Sequence, residues 1–450
     1  MRGRGTWWWR GGRPGGAVRA AVVAAVLCAV AALPGVTAAA DGPTAYAFAP
    51  DAVPVTGTAG TSDAPRLEPG RTYRGSLPVH GRLSYRLDLD RTTTAYVPVT
   101  AVPPAHATVS ATDGIRVSVR DAHGGSCSYA AARFGGALSP RPVTALGRRE
   151  AGRTSCQGAG AYYLLVERLD SGSPGRPGGS AAAGSGRPWD LEIAPVTEPR
   201  PARAGSTTAP RTWDSASPEP LPGEPRERAG GAGFAGARPL GQGVWRSRVV
   251  PGQTLFYKVP LDWGRRVHAV AELGGAAHGH GYVVGALNLS LYNPVRGHVD
   301  DASLGYTGTA RSAALAPLPP VEYANRYAVL TGESAVRFAG AYYLVVHLSE
   351  RMTDTFGSGP FTVTLRVRID GQAHEGPGYA GRPVPAGVFT VTEQDRAAAT
   401  TGSAGGDGTA MKALAAGGIG TGTALLLVLG VWTVAARRAQ TRASAQKPTA

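Results

Sequence analysis

Cysteine is nearly absent from this chain: three occur in 450 residues, at positions 28, 127 and 156. That excludes a multi-disulfide scaffold and a cysteine-rich metal centre. Lysine is as scarce, with Lys258, Lys412 and Lys447 the only ones among 46 cations. Acids are missing from both ends, since residues 1–40 and 412–450 carry ten basic residues and no acidic one. The net charge of +15 is therefore mostly terminal, and 36 basic residues face 31 acidic ones in between. That balance, with no Lys/Arg stripe interleaved with aromatics, argues against nucleic acid as a partner. No His-Glu-x-x-His, P-loop or EF-hand loop occurs. The nearest approach to a nucleophile elbow, Gly332-Glu333-Ser334-Ala335-Val336, lacks the second glycine. A triad assembled from distant residues has no signature in sequence order. No catalytic site, metal or cofactor is expected. His278-Gly279-His280 has only Glu272 as a nearby acid, and Asp300-Asp301 reads as a solvated turn. Finally, no sustained 3.6-residue apolar stripe lies between the two ends, so helices are not expected to build the core.

The ends read as targeting and anchoring segments. Five arginines precede an uncharged run, Ala20 to Ala32, followed by Leu33-Pro34-Gly35 and a small-residue cleavage site at Ala38-Ala39-Ala40. That order assigns residues 1–40 to a secretory signal peptide. Cys28 as a lipid anchor is disfavoured by the bulk of Leu27 before it. Near the other end, Ala413 to Ala436 carries no charge. At ~1.5 Å per residue it reaches ~36 Å, against a hydrocarbon core of ~30 Å. Residues 412–436 are thus expected as a transmembrane helix, with Arg437 and Arg438 holding residues 437–450 in the cytoplasm. The expected topology is a single-pass type I membrane protein with an extracellular ectodomain. The excess of Ala, Gly, Pro and Arg over Lys is that of a GC-rich genome and points to an actinobacterial source.

Between the ends the sequence repeats itself. Tyr73 to Asp90 matches Trp245 to Asp262 without gaps, with Arg74/Arg246, Leu83/Leu255, Tyr85/Tyr257, Leu89/Leu261 and Asp90/Asp262 identical. Ile115 to Val119 matches Leu287 to Leu291 at the same offset of 172. Gly160 to Val166 matches Gly340 to Val346 in six of seven residues, at an offset of 180. Trp189 to Ile193 lies opposite Phe361 to Leu365, back at 172. Four blocks in one order imply two copies of one domain. Each block alternates with period two: Leu287, Leu289 and Leu291 point inward while Asn288, Ser290 and Tyr292 point out. Val97, Val99 and Val102 in copy one, and Val267 to Leu273 in copy two, supply a further strand. The fold class is therefore all-β, with two antiparallel sandwiches.

The blocks Tyr85-Arg86-Leu87-Asp88-Leu89, Val117-Ser118-Val119-Arg120-Asp121 and Gly160 to Val166 resemble the three strand motifs of the bacterial pre-peptidase C-terminal domain. In copy two the same motifs stand at Tyr257 to Leu261, Leu289 to Asn293 and Gly340 to Val346. The resemblance implies a jelly-roll-like β-sandwich. Acids are sparse after the middle strand, so calcium binding does not carry over with it.

The boundaries expected are 65–195 for the first sandwich, 196–240 for a flexible Pro/Gly-rich linker, 241–371 for the second sandwich and 372–411 for a stalk. Cys127 and Cys156 are expected to form a disulfide, with a metal-binding or reactive thiol pair as the alternative. The stretches Asp121 to Ala159 and Asn293 to Ala339 read as long loops. Long loops on a rigid scaffold carry binding residues, so Tyr306, Tyr323, Arg326 and Tyr327 are the candidate ligand-facing group; packing of these loops on their own sandwich is the plainer alternative. Asn288-Leu289-Ser290 fits a glycosylation sequon, for which an exported bacterial chain has little use. The function expected is non-catalytic binding or display at the cell surface, toward an envelope protein or glycan. The alternative is an accessory subunit of an envelope or secretion complex, its anchor packing through Gly417, Gly418, Gly420, Gly422 and Gly430.

Overall fold

The computed structural model describes residues 45–152, 155–170, 186–210 and 212–401. The expected signal peptide, membrane helix and cytoplasmic tail lie outside the described residues. Among the described residues no helix is long and apolar enough to cross a membrane.

Copy one is built from β1 (Val53–Pro54), β2 (Tyr73–Leu77), β3 (Arg82–Leu89), β4 (Thr94–Val102), β5 (Gly114–Asp121), β6 (Ser126–Arg133), β7 (Val143–Arg149), β8 (Gly160–Leu169), β9 (Trp189–Ile193) and β10 (Val196–Glu198). Copy two follows with β11 (Arg226–Glu227), β12 (Arg238–Pro239), β13 (Gly243–Val249), β14 (Thr254–Leu261), β15 (Arg266–Leu273), β16 (Val283–Tyr292), β17 (His298–Tyr306), β18 (Arg311–Ala314), β19 (Gly340–Leu348) and β20 (Phe361–Asp370). Three short helices are described: α1 (Thr331–Ala335), α2 (Met352–Phe356) and α3 (Glu393–Thr401). Each copy packs two sheets face to face. In copy one the orders are β1-β2-β9-β4, with β7 and β10 also on β4, and β3-β8-β5-β6. In copy two they are β11-β13-β20-β15-β18 and β12-β14-β19-β16-β17. Apart from β12, whose counterpart in copy one is the isolated parallel bridge Arg66↔Arg86, the topologies agree, so the repeat in the sequence is a repeat in the fold.

Alternation builds the two cores. Leu287, Leu289 and Leu291 lie beside Tyr342, Leu344 and Val346 of the neighbouring strand on the inward face of one sheet, all six fully buried. Tyr85, Leu87, Val117, Val119 and Trp189 do the same in copy one.

Three boundaries differ from those read in the sequence. First, the stretches Asp121 to Ala159 and Asn293 to Ala339 are not long loops, because they hold β6, β7, β17 and β18. Strand β6 reads SCSYAAAR and is half-exposed along its length, so alanine on both faces hides its period. Second, part of residues 196–240 belongs to the sandwiches. Strand β10 pairs with β4 at Val196↔Tyr96. It continues β9 after a break at Ala194-Pro195, where copy two has the unbroken β20. Strands β11 and β12 pair in parallel with β13 and β14. Strands β11 and β12 are two residues long and have no period of their own, which is why composition reads them as linker. Third, residues 372–401 of the expected stalk fold back. Thr197 and Val384 exchange both backbone hydrogen bonds, at 2.8 and 3.1 Å. Phe389 is buried, and the amide of Gly241 donates to the carbonyl of Ala399 in α3.

Candidate binding groove between the two sandwiches

The two copies meet across a small apolar cluster of Tyr96, Val196, Val295, Phe338 and Phe389. Phe338 stacks on Phe389 with ring centres 4.9 Å apart. Around this cluster stand three ion pairs, each joining a carboxylate of copy one to a guanidinium of copy two. Glu150 accepts from Arg337 at 2.5 Å, Glu192 from Arg296 at 2.5 Å and Glu198 from Arg326 at 2.8 Å. Glu192 and Glu198 are fully buried, so a lone charge there would be costly. Each has further donors. Tyr96 and Tyr379 donate their hydroxyls to Glu198 at 2.9 and 3.1 Å. Tyr46 and the amide of Ala49 donate to Glu192 at 3.1 and 3.0 Å. Burial by itself would lower the pKa of Arg337, but Tyr96 and Glu150 outweigh it and hold the group above the ordinary arginine value.

A fourth contact is neutral. The imidazole of buried His347 on β19 lies 2.8 Å from the Ser139 hydroxyl of copy one and 3.0 Å from the Thr254 hydroxyl. Burial, with the Arg141 charge adding to it, lowers the His347 pKa to about 3. Ser139 and His347 thus resemble a nucleophile and base only in type. Both are sealed from solvent, the second ring nitrogen meets a hydroxyl where a triad has a carboxylate, and the imidazole has little basicity left.

The disulfide between Cys127 and Cys156 forms. It ties down the loop whose carbonyls satisfy Arg149, a fully buried guanidinium that donates to Thr93, Cys156 and Gly158 at 2.7, 2.9 and 3.1 Å.

The four residues read as ligand-facing are dispersed. Tyr306 is in the core of copy two, its hydroxyl donating to the carbonyl of Gly274 at 2.6 Å. Arg326 is committed to Glu198 and lies 3.4 Å over the ring of Tyr323. Tyr323 itself packs against the second core. Only Tyr327 is exposed, at 42%. Tyr306 and Tyr323 thus pack on their own sandwich, the plainer alternative, and Arg326 pairs with the other copy. The other polar motifs also find uses. Asp300 accepts from the amide of Ala316 at 2.7 Å, and Asp301 pairs with His298 at 3.1 Å, so both are strand residues and not a turn. His278 and His280 are exposed, and no group of three metal-ligating side chains occurs among the described residues.

Beside the interface runs a groove of about 670 Å³, within the ~300–1,000 Å³ span of ligand sites. Copy one supplies β6, β7 and the 3-10 turn Gly135–Ala137 between them, while copy two supplies the outer face of β16 and β17. At Gly285 the two come very close. Its φ is +57°, and a Cβ there would lie 2.9 Å from that of Ala137, so glycine is required twice over. The floor is polar: Asn288, Ser290 and Tyr292 from β16 and Ser303 from β17, with Asn288 and Ser303 cross-strand partners. Buried Asn288 Oδ1 has no hydrogen-bond donor. Tyr129, 61% exposed, stands at the rim. Arg141 lines this groove and also a second hollow of about 550 Å³. The outward positions of β16 were legible in the alternation. The importance of Arg141 was not, because nothing in the sequence shows that copy one covers that face.

No protein-family model matches the chain, and no curated protein sequence matches it. Among solved structures, one similar chain is the pre-peptidase C-terminal domain of a collagenase from Bacillus anthracis. It is 15% identical over 30% of this chain and 94% of that domain, with a TM-score of 0.18. Another is the tandem CBM22-1-CBM22-2 domain of Xyn10C from Paenibacillus barcinonensis, 12% identical over 67% of this chain and 87% of that one, TM-score 0.17. A third is the CUB1-EGF-CUB2 domain of human MASP-1/3, 9% identical over 66% and 99%, TM-score 0.16. At such scores these likenesses carry no argument about ligands, and the sandwich architecture rests on the strand pairing described above.

Proposed function

We propose that the chain is a non-catalytic binding protein displayed at the cell surface, held outside the membrane by its 412–436 segment and presenting the groove between its sandwiches to an envelope ligand. The observation that carries this reading is the groove itself: a slot of about 670 Å³ with a polar floor of Asn288, Ser290, Tyr292 and Ser303. The buried ion pairs support the same reading, since they fix the two walls of the slot relative to each other. The interface Ser139–His347 pair is closed to substrate, which favours binding over turnover.

The test is obstruction. Ser303 is exposed on the groove floor, so Ser303→Trp fills the slot without touching either core. The full chain is expected to sediment with purified envelope material, and the variant to lose that association while unfolding at the same temperature. Association unaffected by Ser303→Trp would remove the groove from the function.

A further inference from the structure

We propose that the ligand of this groove is an acidic sugar chain, one ring carboxylate of which is held by Arg141. The inference deepens the groove reading above and depends on it. It starts from a contrast among buried arginines. Arg296, Arg326 and Arg337 each meet a glutamate, and Arg149 meets three carbonyls. Arg141 makes one long hydrogen bond, 3.5 Å, to the carbonyl of its near neighbour Ser139, and its guanidinium lies 5.8 Å from the centre of the Phe134 ring. No carboxylate lies within ion-pair reach of it among the described residues. Asp301 and Tyr292 of copy two face it from farther off, and Asp301 is already engaged by His298. Burial pushes its pKa down, so the cation is held in a place that opposes it. A half-buried guanidinium with four N–H groups to spare is tolerated where an anion arrives to meet them.

The second half of the chemistry comes from copy two. The Asn288 amide on the floor can both donate and accept, which suits a hydroxyl better than an anion. Ser290 and Ser303 extend the same floor, and the exposed ring of Tyr129 offers an apolar face at the rim. The molecule that answers all three is one with a carboxylate, several hydroxyls and a flat C–H face, which is a uronic or other acid-bearing pyranose in a chain. Inorganic phosphate answers only the first.

Calorimetric titration of the full chain decides the matter, using oligogalacturonate, the same oligomer after carboxyl reduction, and inorganic phosphate. A charge-assisted pair in a half-buried site is worth ~1.5–3 kcal/mol, which is about tenfold or more in affinity. The acidic oligomer is expected to bind at least about tenfold tighter than the reduced one, with phosphate failing to compete. Arg141→Gln is expected to erase that difference while leaving the unfolding temperature unchanged or higher, because it removes a poorly partnered cation. A drop in unfolding temperature would assign Arg141 to structure and overturn the inference. So would no binding of the acidic oligomer, or a preference that survives Arg141→Gln. If both oligomers bind equally and Ser303→Trp abolishes both, the carboxylate inference fails and the groove reading stands. If Ser303→Trp leaves both bound, the groove reading fails as well.

Discussion

His347 shows how a residue's environment can be hidden from its own sequence. Alternation on β19 puts Tyr342, Leu344, Val346 and Leu348 inward, and His347 on the opposite face. For a lone sandwich that face is solvent. Here Ser139 of the other copy covers it, and the imidazole is left with a pKa of about 3. The consequence for stability has a definite sign. Below pH ~6.5 the unfolded chain's histidine takes up a proton that the folded site refuses until about pH 3. Stability is therefore lost as pH falls through that window, by at most ~1.4 kcal/mol per pH unit, and nothing is lost above it. His347→Gln should flatten this part of the profile. Denaturant unfolding of parent and variant at pH 7, 6, 5 and 4 would show the parent losing more, and parallel slopes would mean that the imidazole titrates as if exposed.

Among the elements, legibility followed the size of the inward side chains. Strands with large alternating residues, such as β3, β5, β8, β16 and β20, stand where the periodicity puts them. Strand β6 did not declare itself, since alanines fill both of its faces, and β11 and β12 are two-residue pairings with no period at all. A short parallel pairing is fixed by its neighbour's backbone, and sequence carries no record of that. The disulfide was legible from the number of cysteines together with the expectation that the chain is exported. Its bond closes a separation of 29 residues, and removing it should cost about 3 kcal/mol in the chain-entropy model. Cys127→Ser with Cys156→Ser tests this by denaturant unfolding. The loss should also free the carbonyls of Cys156 and Gly158 that hold Arg149 and Tyr162, raising amide exchange at the ends of β7 and β8.

For the whole molecule, the interface decides the behaviour, and it was the least legible part. Each of its ion pairs joins residues far apart in the chain, with a separation of 128 between Glu198 and Arg326. The candidate site read from sequence failed for that reason: the arginine was rightly singled out, and its partner was internal. Glu198→Ala would strand Arg326 and the hydroxyls of Tyr96 and Tyr379 without their acceptor, at a cost of ~3–5 kcal/mol. A double-mutant cycle with Arg326→Ala should return a coupling of ~0.5–3 kcal/mol. A coupling near zero would mean that this pair does not help to join the copies.

A chain made of one domain twice over runs a risk: each half could dock with its own kind on a neighbouring molecule and grow into a filament. The three buried ion pairs oppose it. Their carboxylates stand on one half and their guanidiniums on the other, and the repeat itself breaks at those places. Glu192 falls opposite Thr364, and Arg296 opposite Gly124. Two first halves brought together would set Glu150, Glu192 and Glu198 against their own copies, and two second halves would set Arg296, Arg326 and Arg337 against theirs. The unequal residues at these repeat positions let the union of unlike halves pair all six of these charges.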